Sequence, residues 1–329
     1  MTHLRTGLPR WVERARRSPD NGHSAPPVVR YPESVLERVG NTPLLRLGHL
    51  TADLPPEIEI YAKAEWFNPG GSVKDRSAQH IIASAEASGE LTHDKILIDS
   101  TSGNTGIAYA WIGAAKGYRV KLVMPGNVSA ERIKILRAYG ADLHFSDPLE
   151  GSDGAIHEVQ RLIAEDPDRY FYADQYGNPA NWRAHFHHTG PEIWQQTDRQ
   201  VTHFVAGVGT SGTLMGVGRF LKQQDPRIQV VAVEPADELE VIEGLKHIET
   251  AIVPGIYDPT VVDRTEYVSA DAAYRMAQLL ARREGLFVGF SAGATLHVVI
   301  RLAREIGHGL FVTVLPDSGD KYLSLRSWD

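Results

Sequence analysis

From Tyr31 onward the chain alternates two kinds of segment, and this alternation narrows its fold more than any other feature. Short apolar runs at 58–64, 96–99, 120–124, 202–206, 229–233 and 311–315 read as strands. Stretches with apolar residues near a 3.6 period at 74–88, 105–116, 130–139, 151–164, 213–222, 270–284 and 292–305 read as helices. Strand–helix alternation of this length predicts an α/β architecture of mostly parallel, twisted sheets with helices on both faces. In such sheets ligands bind beyond the carboxyl ends of the strands. The Gly, Ser, Thr and Asn clusters that follow strands are therefore where function is sought.

Composition sets the outer limits. A chain of 329 residues predicts roughly two domains at about 150 residues each. With 42% hydrophobic and 23% charged residues, whole-chain disorder, coiled coil and collagen are set aside. A net charge of -7 argues against a nucleic-acid footprint, and no apolar run approaches membrane-span length. There is no cysteine, so thiolate nucleophiles, disulfides and cysteine-bearing metal sites are excluded, and any covalent chemistry must use another nucleophile. The first 30 residues are Arg-rich, acid-poor and broken by Pro9, Pro19, Pro26 and Pro27, which reads as a disordered extension. An organellar presequence is the alternative.

Four strand-end clusters carry the chemistry. In Asn68-Pro69-Gly70-Gly71-Ser72-Val73-Lys74-Asp75-Arg76, a turn delivers a single lysine to a helix start. Repulsion by the positive helix end and burial both lower an amine's pKa, as attack on a carbonyl requires; the ordinary alternative is a solvated lysine. In Asp99-Ser100-Thr101-Ser102-Gly103-Asn104-Thr105-Gly106, four candidate caps stand where one suffices, which suits a carboxylate or phosphate. Gly207-Val208-Gly209-Thr210-Ser211-Gly212-Thr213 opens with the G-x-G-x-x-G pattern, and Glu234 ends the next strand where a ribose-binding acid would sit. Taken alone that cluster says NAD, yet the hydroxyls of Thr210, Ser211 and Thr213 suit a terminal phosphate monoester better than a bridging pyrophosphate. The fourth cluster, Gly289-Phe290-Ser291-Ala292-Gly293-Ala294, offers Ser291 at a helix start, where a cap is the ordinary role. A carbonyl-reactive lysine, a carboxylate nest, a monophosphate cradle and a lone hydroxyl together make an inventory for pyridoxal phosphate.

Read with Asn41-Thr42-Pro43-Leu44 and Gln175-Tyr176-Gly177-Asn178-Pro179-Ala180-Asn181, these clusters resemble, in order, the cysteine synthase and cystathionine β-synthase family of fold type II pyridoxal-phosphate enzymes. The likeness is nearest to the O-acetylserine and O-phosphoserine sulfhydrylases. It implies that Lys74 holds the cofactor as a Schiff base, Asn104 meets its 3′-oxygen, Gly209, Thr210, Ser211, Gly212 and Thr213 hold its phosphate, and Ser291 faces the ring nitrogen. It also implies that Thr101, Ser102, Thr105 and Gln175 take the substrate carboxylate. At Ser211 the family often has glycine. Two domains are implied, a larger one of 31–67 with 180–329 holding the phosphate and a smaller mobile one of 68–179, in a cytoplasmic homodimer.

A neutral hydroxyl at the ring nitrogen makes a milder electron sink than an aspartate would, which favours prompt loss of a β-leaving group over transamination. Lys74 then serves as general base at Cα, and sulfide adds to the resulting aminoacrylate to give L-cysteine. Lys246, in a segment that borders the family's active-site mouth, is the cation expected to pair with a phosphate leaving group. Cystathionine β-synthesis stays open, although only Ser324 to Asp329 follow Leu323, which leaves no room for a regulatory module. Diaminopropionate and cyanoalanine synthesis also stay open. An NAD-dependent dehydrogenase would leave Lys74 unexplained, and a non-catalytic binding protein would not need it. His185, His187 and His188 cluster without acidic companions, so no metal site is expected.

Overall fold

A computed structural model describes residues 34–101, 103–126, 128–324 and 328; the Arg-rich extension and Ser102 lie outside the described residues. Ten strands form two sheets among them. The larger holds β1 (Leu44–Arg46), β2 (Ile58–Ala64), β7 (His203–Gly207), β8 (Gln229–Pro235), β9 (Arg264–Val268) and β10 (Gly309–Leu315), in the order β1-β2-β10-β7-β8-β9. All its pairs are parallel except β1 with β2. The smaller is fully parallel, in the order β5-β4-β3-β6, from β3 (Ile96–Ser100), β4 (Arg119–Pro125), β5 (Asp142–Ser146) and β6 (Tyr170–Tyr172). The expected α/β class is the observed one.

The apolar runs are continuous because both faces of the larger sheet are covered. Val205, Val231, Val233, Phe311 and Leu315 face one core, which includes the apolar side of the long helix α9 (Phe290–Ile306). Their neighbours Phe204, Ala206, Val230, Ala232, Val312 and Val314 face the other, under α7 (Gly212–Gln224). Each buried Val, Leu or Phe among them contributes about 1.5–3 kcal/mol by leaving water. The smaller sheet is covered on one side by α1 (Lys74–Ser88), α2 (Asn104–Lys116) and α3 (Ala130–Ala138), and on the other by α4 (Gly151–Glu165).

Four strands have no apolar run to announce them. β1 and β6 are three residues long, and β5 and β9 are sheet edges whose outer residues meet solvent. The sequence reading also missed α5 (Ala180–Ala184) and α6 (Gly190–Gln196), which are short and joined by a π-type turn at His185–Thr189. Helix 270–284 changes character partway: α8 (Ala270–Leu279) gives way to a π-type turn that runs to Glu284. Gly216 lets α7 lie directly on α5, since a Cβ there would sit 2.2 Å from the Trp182 carbonyl oxygen. Among the described residues no helix is long and apolar enough to cross a membrane.

Candidate active site

The carboxyl ends of β3 and β7 open onto one cavity of about 240 Å³, and every described site residue named from the sequence lines it. Lys74, Thr101, Asn104, Thr105 and Gln175 come from the segments around the smaller sheet. Gly209 to Thr213, Lys246 and Ser291 come from those around the larger.

Lys74 is the first residue of α1 and its backbone N–H donates to Ser72 Oγ at 3.3 Å. Burial pushes its amine below the usual lysine range, with the Asp317 carboxylate as the opposing influence. Among the described residues no carboxylate lies within 4.0 Å of it. Burial is the larger of these two influences.

The turn before α2 works differently from a row of caps. Gly103 stands at the cap position, and Thr101 Oγ1 accepts from the N–H groups of Gly103 at 3.3 Å and Gly106 at 3.2 Å. Thr105 donates its hydroxyl to Gln175 Oε1 at 2.7 Å, and Gln175 Nε2 donates to the Ser100 carbonyl at 2.7 Å. Beneath them Asp99 accepts from the N–H of Ser100 and of Gln175, and burial pushes its pKa up to about 7.

The third cluster turns from β7 into α7. Ser211 occupies the cap position with φ +67°, the left-handed region that favours glycine. Gly209 is needed because a Cβ would lie 2.4 Å from the Gly244 carbonyl oxygen, and Lys246 N donates back to the Val208 carbonyl at 2.8 Å. Asn181 Nδ2 donates to the Gln175 carbonyl at 2.7 Å and to Thr210 Oγ1 at 3.1 Å, so the Thr210 hydroxyl keeps its own hydrogen to donate. Thr213 Oγ1 lies 3.3 Å from Nε2 of His185, which burial, with Arg76 and Lys74 nearby, holds neutral. Lys246 Nζ sits 4.6 Å over the Tyr176 ring and 3.9 Å from Asp153 Oδ1, with its pKa lowered by burial.

Two sequence alternatives lose their footing. Ser291 is not a cap, since Gly289 holds that position at the start of α9. Glu234 is buried and accepts from the N–H of Ile248 at 2.9 Å, so it is committed to a loop and does not line the cavity. His187 and His188 ring His80 at centroid distances of 6.1 and 6.3 Å, and no group of three or more His, Cys, Asp or Glu among the described residues could hold a metal.

The fit to pyridoxal phosphate rests on a polar group that the fold leaves over. Ser211 Oγ is buried in the cavity wall with no hydrogen-bond partner, beside the free Thr210 hydrogen and the α7 N-terminus, an arrangement suited to a phosphate. The residues fit the group. The sequence reading missed Arg132, which lines the cavity, reaches Glu243 at 3.1 Å and lies over the Tyr322 ring, and it missed Asp317 and Lys321 behind Asn104.

Comparison with known proteins agrees with this geometry. A family model described as "Pyridoxal-phosphate dependent enzyme" matches residues 35–317. The chain is 53% identical over 308 residues to a cysteine synthase of Aquifex aeolicus, covering 92% of this chain and 94% of that protein. It is 42% identical to cysteine synthase B of Pseudomonas aeruginosa, covering 92% and 99%. The crystal structure of a cysteine synthase from Entamoeba histolytica superposes with a TM-score of 0.86 at 37% identity, covering 94% of each chain. With the family's model spanning both sheets and the cavity between their strand ends, the chain belongs to the pyridoxal-phosphate dependent enzymes, on the cysteine synthase branch.

Proposed function

We propose that this chain forms L-cysteine by β-replacement, joining sulfide to the Cβ of an O-activated serine as the activating group leaves. The observation that carries the proposal is the convergence of an amine, a hydroxyl-lined phosphate cradle and the Thr105–Gln175 pair on one cavity, in a chain 53% identical to a cysteine synthase.

Pyridoxal phosphate, when bound, supplies an aldehyde that captures amines and a conjugated ring that takes up electrons released at the neighbouring carbon. Lys74 would hold it, with Gly209, Thr210, Ser211, Gly212 and Thr213 on the phosphate, Asn104 at the 3′-oxygen and Ser291 at the ring nitrogen. Ser102, Thr101, Thr105 and Gln175 bind the substrate carboxylate. Lys74, its amine disfavoured as a cation by burial, would take the proton from substrate Cα as general base. Ser291, a neutral hydroxyl, would leave the ring nitrogen without a charged partner, which would favour departure of the β-substituent over transamination.

Lys246 is the residue we assign to the leaving group. Its ammonium lines the cavity, and its neighbours are an aromatic face and an Asp153 oxygen 3.9 Å away, so a phosphate dianion can recruit it. O-phosphoserine is then a substrate beside O-acetylserine. Lys246→Ala is expected to lower kcat/KM for O-phosphoserine by about tenfold or more relative to O-acetylserine; an unchanged ratio would remove the assignment. Purified holoprotein is expected to be yellow, to lose that absorbance in Lys74→Ala, and to change spectrum on adding either substrate. A colourless protein that binds nicotinamide would overturn the whole reading.

We read the segments around the smaller sheet as a mobile domain that closes when the carboxylate is bound, and the assembly as a cytoplasmic homodimer on family likeness. Sedimentation at micromolar concentration tests the dimer.

A further inference from the structure

Asn104 is gripped from behind by two residues more than two hundred positions away. Lys321 Nζ donates to Asn104 Oδ1 at 2.8 Å, and Asn104 Nδ2 donates to Asp317 Oδ2 at 2.6 Å. Chemistry fixes which end of the amide is which. An ammonium has only donors, so the atom it meets is the amide oxygen, and the carboxylate opposite takes the amide nitrogen. One hydrogen of Nδ2 is thereby spent on Asp317, and a single N–H remains for the cavity that Asn104 lines.

The grip is buried, and its lysine is saturated. The three N–H groups of Lys321 meet three oxygens, those of Gly70 at 3.2 Å, Gly71 at 2.9 Å and Asn104. Lys321 is 7% exposed and Asp317 1% exposed. Asp317 Oδ2 also accepts the Tyr322 hydroxyl at 2.5 Å, and Pro316 O accepts the Val73 N–H at 2.8 Å, so the segment that carries the carboxylate runs beside the loop that delivers Lys74. Lys321 does not line the cavity. With no free donor it neither attacks nor moves a proton, and its effect on the reaction must pass through Asn104 and the Gly70–Gly71 turn.

We propose that Lys321 and Asp317 are positioning residues that lock the Asn104 amide with its N–H, rather than its oxygen, toward the 3′-oxygen of the cofactor. The proposal rests on the reading of Asn104 as the residue at that oxygen. An N–H there favours the oxyanion over the protonated form, so the lock holds that oxygen ionised at lower pH.

The test is a double-mutant cycle of Asn104→Ala and Lys321→Met, read by titrating cofactor into apoprotein and by the pH midpoint of the bound cofactor's absorbance. Each single variant is expected to weaken cofactor affinity by about tenfold, the scale of one hydrogen bond to a charged group, and to move the midpoint to higher pH. The double variant is expected to be no worse than Asn104→Ala, because residues acting through one contact are not additive. An unmoved midpoint in Lys321→Met, or effects that multiply to about a hundredfold, would overturn the proposal while leaving the Asn104 reading intact. An unmoved midpoint in Asn104→Ala would instead overturn that reading. Where Lys321→Met does not yield folded protein, Asp317→Asn replaces it in the cycle with the same expectations.

Discussion

Ser211 concentrates two costs in one residue. Its φ of +67° is a conformation that costs a residue with a Cβ about 1–2 kcal/mol, and its hydroxyl is buried without a partner. Both are relieved by Ser211→Gly, so the apoprotein is expected to gain about 1 kcal/mol in urea denaturation. The same change removes a donor from the phosphate cradle, and cofactor affinity is expected to fall. A variant in which stability and affinity move in the same direction would refute the cradle role. The sequence marked this position as a phosphate-side hydroxyl and as a departure from the family's usual glycine; the backbone angle that makes the departure costly belongs to the folded turn.

At the scale of elements, α1 is anchored by a buried ion network. Arg76 on α1 lies 2.7 Å from both Glu65, which follows β2, and Glu192 on α6, and Lys63 on β2 lies 2.6 Å from Glu192. Arg76 is two residues beyond Lys74, so the network sets where the helix start stands. Arg76→Met would leave two carboxylates with much of their compensation gone and is expected to cost about 3–5 kcal/mol, measured by denaturant unfolding. The network also predicts a pH dependence. Burial raises the Glu192 pKa, but Arg76 and Lys63 outweigh it and hold the group at about 2 instead of 4.5. A carboxylate with a depressed folded pKa contributes stability that is complete above the unfolded value. That stability is expected to be lost as pH falls from 4.5 toward 2, and Glu192→Gln should flatten this limb of the profile. None of these partners is marked by period or motif, since Glu192 lies 116 residues from Arg76.

For the whole molecule, the two sheets share one cavity, and Arg132 on α3 reaches Glu243 in the segment after β8 at 3.1 Å. If carboxylate binding at Thr101, Thr105 and Gln175 draws the smaller sheet's segments inward, an amino acid with a free carboxylate should slow amide exchange there, and its methyl ester should not. Equal protection by both would count against closure. Much of this architecture was legible beforehand. Ile58–Ala64 and Lys74–Ser88 fall where the apolar runs and the 3.6 period place them, because buried parallel strands and amphipathic helices write their burial into contiguous residues. Edge strands such as β5 and β9 carry no such record.

The sequence alone therefore determined the α/β class, the strand-end clusters and the lysine at a helix start, all of which depend on neighbours within one turn or one strand. Tertiary structure alone decided that Glu234 serves a loop, that Ser291 is not a cap, and that Lys321 and Asp317 orient Asn104. The reason is the strand order: β10 inserts between β2 and β7, and the turn that follows it is thereby brought behind a helix start 213 residues earlier. Hydrogen bonds across such distances in the chain leave no spacing to read.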